Sequence, residues 1–230
     1  MHCQPFAADS GAPVRGFLHS PTTPSGDALV LTHGAGSNCQ APLLVAVAEA
    51  FADGGFLVLR CDLPYRQART HGPPFRGESQ RDREGLYNAF AALRAAAPAI
   101  TRFFLGGHSY GGRQASMLAA ESPEVANGLL LLSYPLHPPR KPAEMRTAHF
   151  PALRTPALFV HGTRDPFASS EEIASALKLV PAATTLLSIE GAGHDLLTGA
   201  KARRSESLHD LAQKIRDAFI TLKNGPAADR

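Results

Sequence analysis

The chain predicts an open, mostly parallel α/β sheet with helices on both faces, and three observations predict it. Six short apolar runs, at 28–32, 56–61, 102–106, 128–133, 157–162 and 184–189, alternate with longer segments of helical spacing. Most runs are apolar on both faces, as parallel strands buried between helix layers must be. The 230 residues, 44% of them hydrophobic, suffice for one large core rather than two small ones.

Each element follows from local pattern. Segment 14–19 reads as an extra antiparallel edge strand. After the run at 28–32, Leu43, Val47 and Phe51 recur every four residues, one stripe of a helix. After 56–61, Leu86, Phe90 and Leu93 repeat the pattern. Ser169 precedes Glu172 by three, the signature of a capping box, and opens a helix through Ile173, Leu177 and Val180. Leu208, Leu211, Ile215, Phe219 and Leu222 form the last stripe. One domain over 1–223 is expected, with 224–230 a disordered tail. Two long loops, 62–80 and 134–155, each follow a strand and so lie at the carboxyl edge of the sheet, where open α/β folds bind ligands. Neither is long enough for a separate cap domain.

Composition excludes several classes. A net charge of +3 gives nucleic acid no strong attraction. No run approaches the ~20 apolar residues of a membrane span, and the first 16 residues lack an apolar signal-peptide core. Three scattered cysteines, Cys3, Cys39 and Cys61, suit neither a disulfide framework nor a thiolate metal site, so a cytoplasmic setting is expected.

The chemistry centres on Gly107-His108-Ser109-Tyr110-Gly111. It fits G-x-S-x-G and stands between a strand and a helix, the place of a nucleophile on a sharp turn. A glycine-rich turn or a phosphate loop are the rival readings; no G-x-x-x-x-G-K-[ST] occurs. A serine needs a base, and the base needs an acid to orient it. On such a sheet the order is Ser, acid, His, each after a strand. Asp165 follows the run at 157–162 and His194 the run at 184–189. Asp165 could instead cap the next helix, and His194 could be a solvated loop residue. Asp195 is the rival acid; His108, His137, His149 and His209 are rival bases, but none follows a strand in that order. Oxyanion donors are expected from the Tyr110 N–H and from the loop His33-Gly34-Ala35-Gly36-Ser37, Ala35 first and Gly36 second. By loop position, Tyr65, Arg66, Tyr134, Leu136 and His137 are expected to wall the substrate pocket.

The stretches HGAG (33–36), LPYR (63–66), GGHSYGG (106–112), SYPLHPP (133–139), HGTRDPF (161–167) and GAGHDL (191–196) together resemble the α/β-hydrolase superfamily. More narrowly they resemble its small predicted hydrolases, a dienelactone-hydrolase-like branch that includes the testis-expressed hydrolase-like proteins. The resemblance runs from about Asp27 to the last helix. It implies a single-domain α/β-hydrolase fold, with Ser109 as nucleophile, Asp165 as acid and His194 as base. Dienelactone hydrolase itself carries cysteine at the elbow, where this chain carries Ser109. The expected activity is hydrolysis of a small carboxylic ester or thioester through an acyl-enzyme, with no metal or organic cofactor. A peptidase or amidase with the same triad, or a silent interaction module, are the alternatives. Arg66, Arg69, Arg76, Arg140, Lys141, Arg146 and Arg154 make both edge loops basic, which implies either an anionic substrate or merely a solvated charged surface.

Overall fold

The six runs and segment 14–19 become seven of the eight strands in a computed structural model that describes residues 1–9, 13–198 and 204–225. The eight are β1 (His2–Ala8), β2 (Val14–Ser20), β3 (Asp27–Thr32), β4 (Leu57–Cys61), β5 (Arg102–His108), β6 (Gly128–Leu132), β7 (Ala157–Gly162) and β8 (Thr184–Ile189). The helices are α1 (Pro42–Asp53), α2 (Pro64–Ala68), α3 (Ser79–Ala96), α4 (Tyr110–Glu121), α5 (Ser170–Leu177) and α6 (Arg204–Asn224). The sheet order is β1-β2-β4-β3-β5-β6-β7-β8. The β1–β2 and β2–β4 pairs are antiparallel and the other pairs parallel.

Alternation within the strands divides the core in two. Ala28, Val30, Leu129 and Leu131 face the layer of α3, α4 and α5, with Leu86, Phe90, Leu118 and Ile173. Leu29, Leu31, Leu130 and Leu132 face α1 and α6, with Val47, Phe51, Ile215 and Phe219. This period-2 split explains why the central runs are apolar throughout. Phe219 is seated between Phe51 and Phe104, at ring centroid distances of 5.4 and 5.2 Å. The far end of α6 is latched electrostatically. Buried Asp27 accepts from Arg102 Nε and Lys223 Nζ, both at 2.7 Å. The expected capping box is formed, with Ser169 Oγ accepting from Glu172 N and Glu172 Oε2 accepting from Ser169 N.

Three expectations change. Segment 14–19 is a strand but not the edge, because β1 pairs along its whole length. Strand β1 is mostly exposed and carries Pro5, a residue tolerated in sheets at edges, so it has no apolar run to betray it. Loop 62–80 contains α2 and the start of α3. Loop 134–155 folds inward, burying Tyr134, Leu136, Phe150 and Leu153. Among the described residues no cap domain stands over the carboxyl edge. Helix α6 runs through Asn224, and 226–230 lie outside the described residues. No helix among the described residues is long and apolar enough to cross a membrane.

Buried histidines give the fold a pH dependence. His19 Nε2 accepts from Arg60 Nε at 2.8 Å. Burial first, then Arg60, push its pKa from 6.5 down to about 4. Burial likewise lowers His108 to about 4. The unfolded chain therefore binds protons first as pH falls below 6.5. The stability these neutral rings contribute is complete above 6.5 and is lost as pH falls through 4. Urea midpoints should decline steadily across that window; a flat profile would contradict this account.

Candidate active site

Strand β5 ends at His108, and Ser109 makes the turn into α4. Its backbone lies at φ 51°, ψ −114°, on the left-handed side that non-glycine residues avoid. The turn is tight enough to demand glycine on both flanks. A Cβ on Gly107 would stand 2.7 Å from Thr32 O, and one on Gly111 2.6 Å from His33 O. Helix α4 then begins at Tyr110, so its free N-terminal amides and positive dipole end meet the serine.

The structure brings together the three expected side chains. Ser109 Oγ donates to His194 Nε2 at 2.8 Å. His194 Nδ1 donates to Asp165 Oδ2, also at 2.8 Å. An ionised carboxylate can only accept, so this bond places the imidazole proton on Nδ1 and leaves Nε2 basic toward the hydroxyl. The Asp165 side chain is fully buried, and its Oδ1 accepts from Phe167 N at 2.9 Å. The Phe167 ring lies on the imidazole of His194, with centroids 4.2 Å apart. His108, a rival base, instead donates from Nε2 to the carbonyl of His194 at 2.8 Å and so props that residue from behind. The rivals are elsewhere. Asp195 Oδ1 accepts from Leu197 N, His149 meets Ser116, His137 meets Pro138 and Glu172, and His209 meets Gln213.

A cavity of about 310 Å³ opens at Ser109, lined by Gly34, Ala35, Gly36, Ser37, His108, Phe167 and His194. None of the five expected pocket walls, Tyr65, Arg66, Tyr134, Leu136 and His137, lines it, and all five are buried. The reason is that loop position says which edge a residue is on but not which way it faces. Tyr134 and Leu136 belong to the core, and Tyr134 Oη donates to Arg146 O. Tyr65 and Arg66 have a different task. Tyr65 Oη lies 3.1 Å from Gly34 O and 3.0 Å from Ala35 O and shares its proton between them. Arg66 donates to Ser37 O at 2.7 Å, Ala35 O at 3.3 Å and Gly72 O at 2.8 Å. In a trans peptide the N–H points opposite to the C=O. Holding the Gly34 and Ala35 carbonyls therefore turns the Ala35 and Gly36 N–H groups away from Tyr65 and Arg66. Sequence reading placed these residues beside the site but missed this role; the only signal was a Tyr-Arg pair one strand away from a glycine loop.

A second, mostly apolar cavity of about 300 Å³ shares Gly34, Ser37 and His108 with the first. Ala41, Pro42, Leu43, Leu197 and Leu208 line it, with Asp195 the one charged wall among the described residues. A larger cleft of about 680 Å³, around Arg15, Pro64, Arg81 and Glu84, does not include Ser109, Asp165 or His194.

Comparison with known proteins agrees with this architecture. The chain superposes on dienelactone hydrolase from Anabaena variabilis with a TM-score of 0.75 at 21% identity, over 96% of this chain and 98% of that one. An α/β serine hydrolase without lid from Xanthomonas campestris gives 0.72 at 16% identity, over 99% and 97%. An α/β serine hydrolase homologue from Coxiella burnetii gives 0.74 at 14% identity, over 94% and 97%. At such identities the likeness is one of fold. The family profile described as alpha/beta hydrolase domain matches residues 25–221. With six-sevenths of its length under that profile, the chain belongs to the α/β-hydrolase domain family.

Proposed function

We propose that this family member is a serine hydrolase that cleaves a small carboxylic ester or thioester through an acyl-enzyme. The observation that carries the reading is the unbroken chain of hydrogen bonds from Asp165 through His194 to Ser109, opening on a cavity. Ser109 Oγ attacks the acyl carbon while His194 Nε2 takes its proton. The carbonyl electron pair moves to oxygen, and the N–H groups of Tyr110 and Ala35, with Gly36 beside it, stabilise that charge. Collapse expels the leaving oxygen or sulfur, which His194 protonates. Water, deprotonated by the same imidazole, then attacks the acyl-enzyme and frees the acid and Ser109. Asp165 holds the tautomer and offsets the imidazolium charge. The sequence-derived alternative of a silent module is disfavoured by the complete hydrogen-bond chain.

The adjoining apolar cavity supports a substrate with a short apolar arm. The basic loops support an anionic substrate less well. Arg66 is committed to carbonyls, Arg69 pairs with Glu78 at 2.7 Å and Lys141 with Glu144 at 2.7 Å. None of the three lines the cavity at Ser109.

A fluorophosphonate probe should label the wild-type protein at Ser109, located by peptide mass spectrometry, and should leave Ser109→Ala unlabelled. Across matched p-nitrophenyl esters, butyrate should match or exceed hemisuccinate, with little response to added salt. No labelling would sink the serine-hydrolase reading. A strong, salt-sensitive preference for the anionic ester would restore the role of the basic loops.

A further inference from the structure

We propose that Asp82, a buried carboxylate remote from the reacting atoms, is a positioning residue that fixes the spacing between the two halves of the oxyanion hole. The inference rests on the serine-hydrolase reading above and adds to it a residue that the triad does not contain.

Asp82 lies in the first turn of α3 and is fully buried. Its Oδ2 accepts from Tyr110 Oη at 2.7 Å, and its Oδ1 accepts from Tyr65 N at 3.1 Å. Those two partners stand behind the two sources of oxyanion donors. Tyr110 supplies its own N–H at the start of α4. Tyr65 grips the Gly34 and Ala35 carbonyls and so orients the N–H groups of that loop. The Tyr65 and Tyr110 rings also meet edge to face, with centroids 5.9 Å apart and planes at 89°. One carboxylate therefore ties together β5–α4, which carries the nucleophile, and the β4–α3 connection, which carries the loop's support.

A carboxylate buried against a phenol and a peptide N–H, rather than a cation, is costly to keep ionised. Burial does raise the carboxyl pKa, against the opposing pull of the Tyr110 and Tyr65 hydrogen bonds. What the arrangement offers in return is geometry. Oxyanion donors act only when held about 2.7–3.1 Å from the developing charge, and a displacement near 1 Å can cost about 100-fold in rate. A purely structural role, fastening the N-terminus of α2 through Tyr65 N, would affect folding and leave turnover alone.

The test uses Asp82→Ala, Tyr110→Phe, their combination and Asp82→Asn, assayed in the full chain with p-nitrophenyl acetate and by the rate of fluorophosphonate labelling. Asp82→Ala and Tyr110→Phe should each lower kcat about tenfold or more with KM changed less than about twofold. The double variant should be no slower than the slower single one, since both changes cut the same link. Asp82→Asn should recover most of kcat, because an amide can accept from Tyr65 N and donate to Tyr110 Oη. Wild-type kcat in Asp82→Ala and Tyr110→Phe, whatever the loss of thermal stability, overturns the proposal, and so do losses that multiply in the double variant. If Asp82→Ala does not fold, Tyr110→Phe decides alone, since its backbone and ring are unchanged. Wild-type protein that labels normally beside unaffected variants refutes Asp82 only. Wild-type protein that does not label refutes the serine-hydrolase reading itself.

Discussion

Ser109→Ala should lower kcat/KM for an activated ester by about 10⁴-fold or more, with circular dichroism and melting unchanged or improved. The change removes one oxygen and nothing else. His194 Nε2 then faces a methyl group, and no other hydroxyl hydrogen-bonds to it among the described residues. What remains is binding and the oxyanion donors, which alone leave some rate above that of water. A loss of four decades corresponds to about 5.4 kcal/mol of transition-state stabilisation. Steady-state turnover of p-nitrophenyl acetate measures it directly. Retention of more than a few per cent of wild-type activity would mean that the reaction runs elsewhere, and the 680 Å³ cleft beside Arg15 and Arg81 would be the next place to look.

Asp165→Asn should be nearly as damaging, about 10³–10⁴-fold in kcat with little change in KM. The substitution keeps the shape and reverses the hydrogen bonding. Phe167 N must find an acceptor at one side-chain atom of residue 165, which it now finds at Oδ1. If the amide oxygen of the variant meets that need, its NH₂ faces His194 Nδ1. The imidazole proton is then driven to Nε2, and the base can no longer accept from Ser109. Complete burial of the position keeps water from substituting for the lost acceptor. Crystallography of the variant should find His194 in place, and pre-steady-state kinetics should find acylation slowed. Loss of activity accompanied by a displaced imidazole would instead assign Asp165 a structural part only.

Most of the scaffold, and the three side chains that meet at the candidate site, could be read from the sequence, for a physical reason. Central parallel strands are buried on both faces and so write unbroken apolar runs, and β7 and β8 have the boundaries the pattern gave. Ser109, Asp165 and His194 could be read because each follows such a strand and glycines fix the turns around it. Strand β1 could not, because an exposed edge carries no apolar requirement and so writes no apolar run. The pocket walls failed for another reason. Tyr65 and Arg66 are long enough to turn back from the carboxyl edge onto main-chain carbonyls, and short-range pattern does not encode that direction. Tyr134 and Leu136 look like ligand-facing loop residues only until loop 134–155 is seen to complete the core. Asp82 shows the same limit: its partners are 17 and 28 residues away, and only the tertiary fold joins them.

On the proposed serine-hydrolase reading, the unfavourable backbone at Ser109 sets heat tolerance against reactivity. A non-glycine residue held in such a conformation costs about 1–3 kcal/mol, which the packing around this one glycine-flanked turn must absorb. Ser109→Gly should recover part of that cost and melt about 2–4 °C higher for each kcal/mol regained, while turning nothing over. Selection for robustness alone would thus erode the nucleophile first, and relatives of this fold that have given up chemistry should be found with glycine in the elbow.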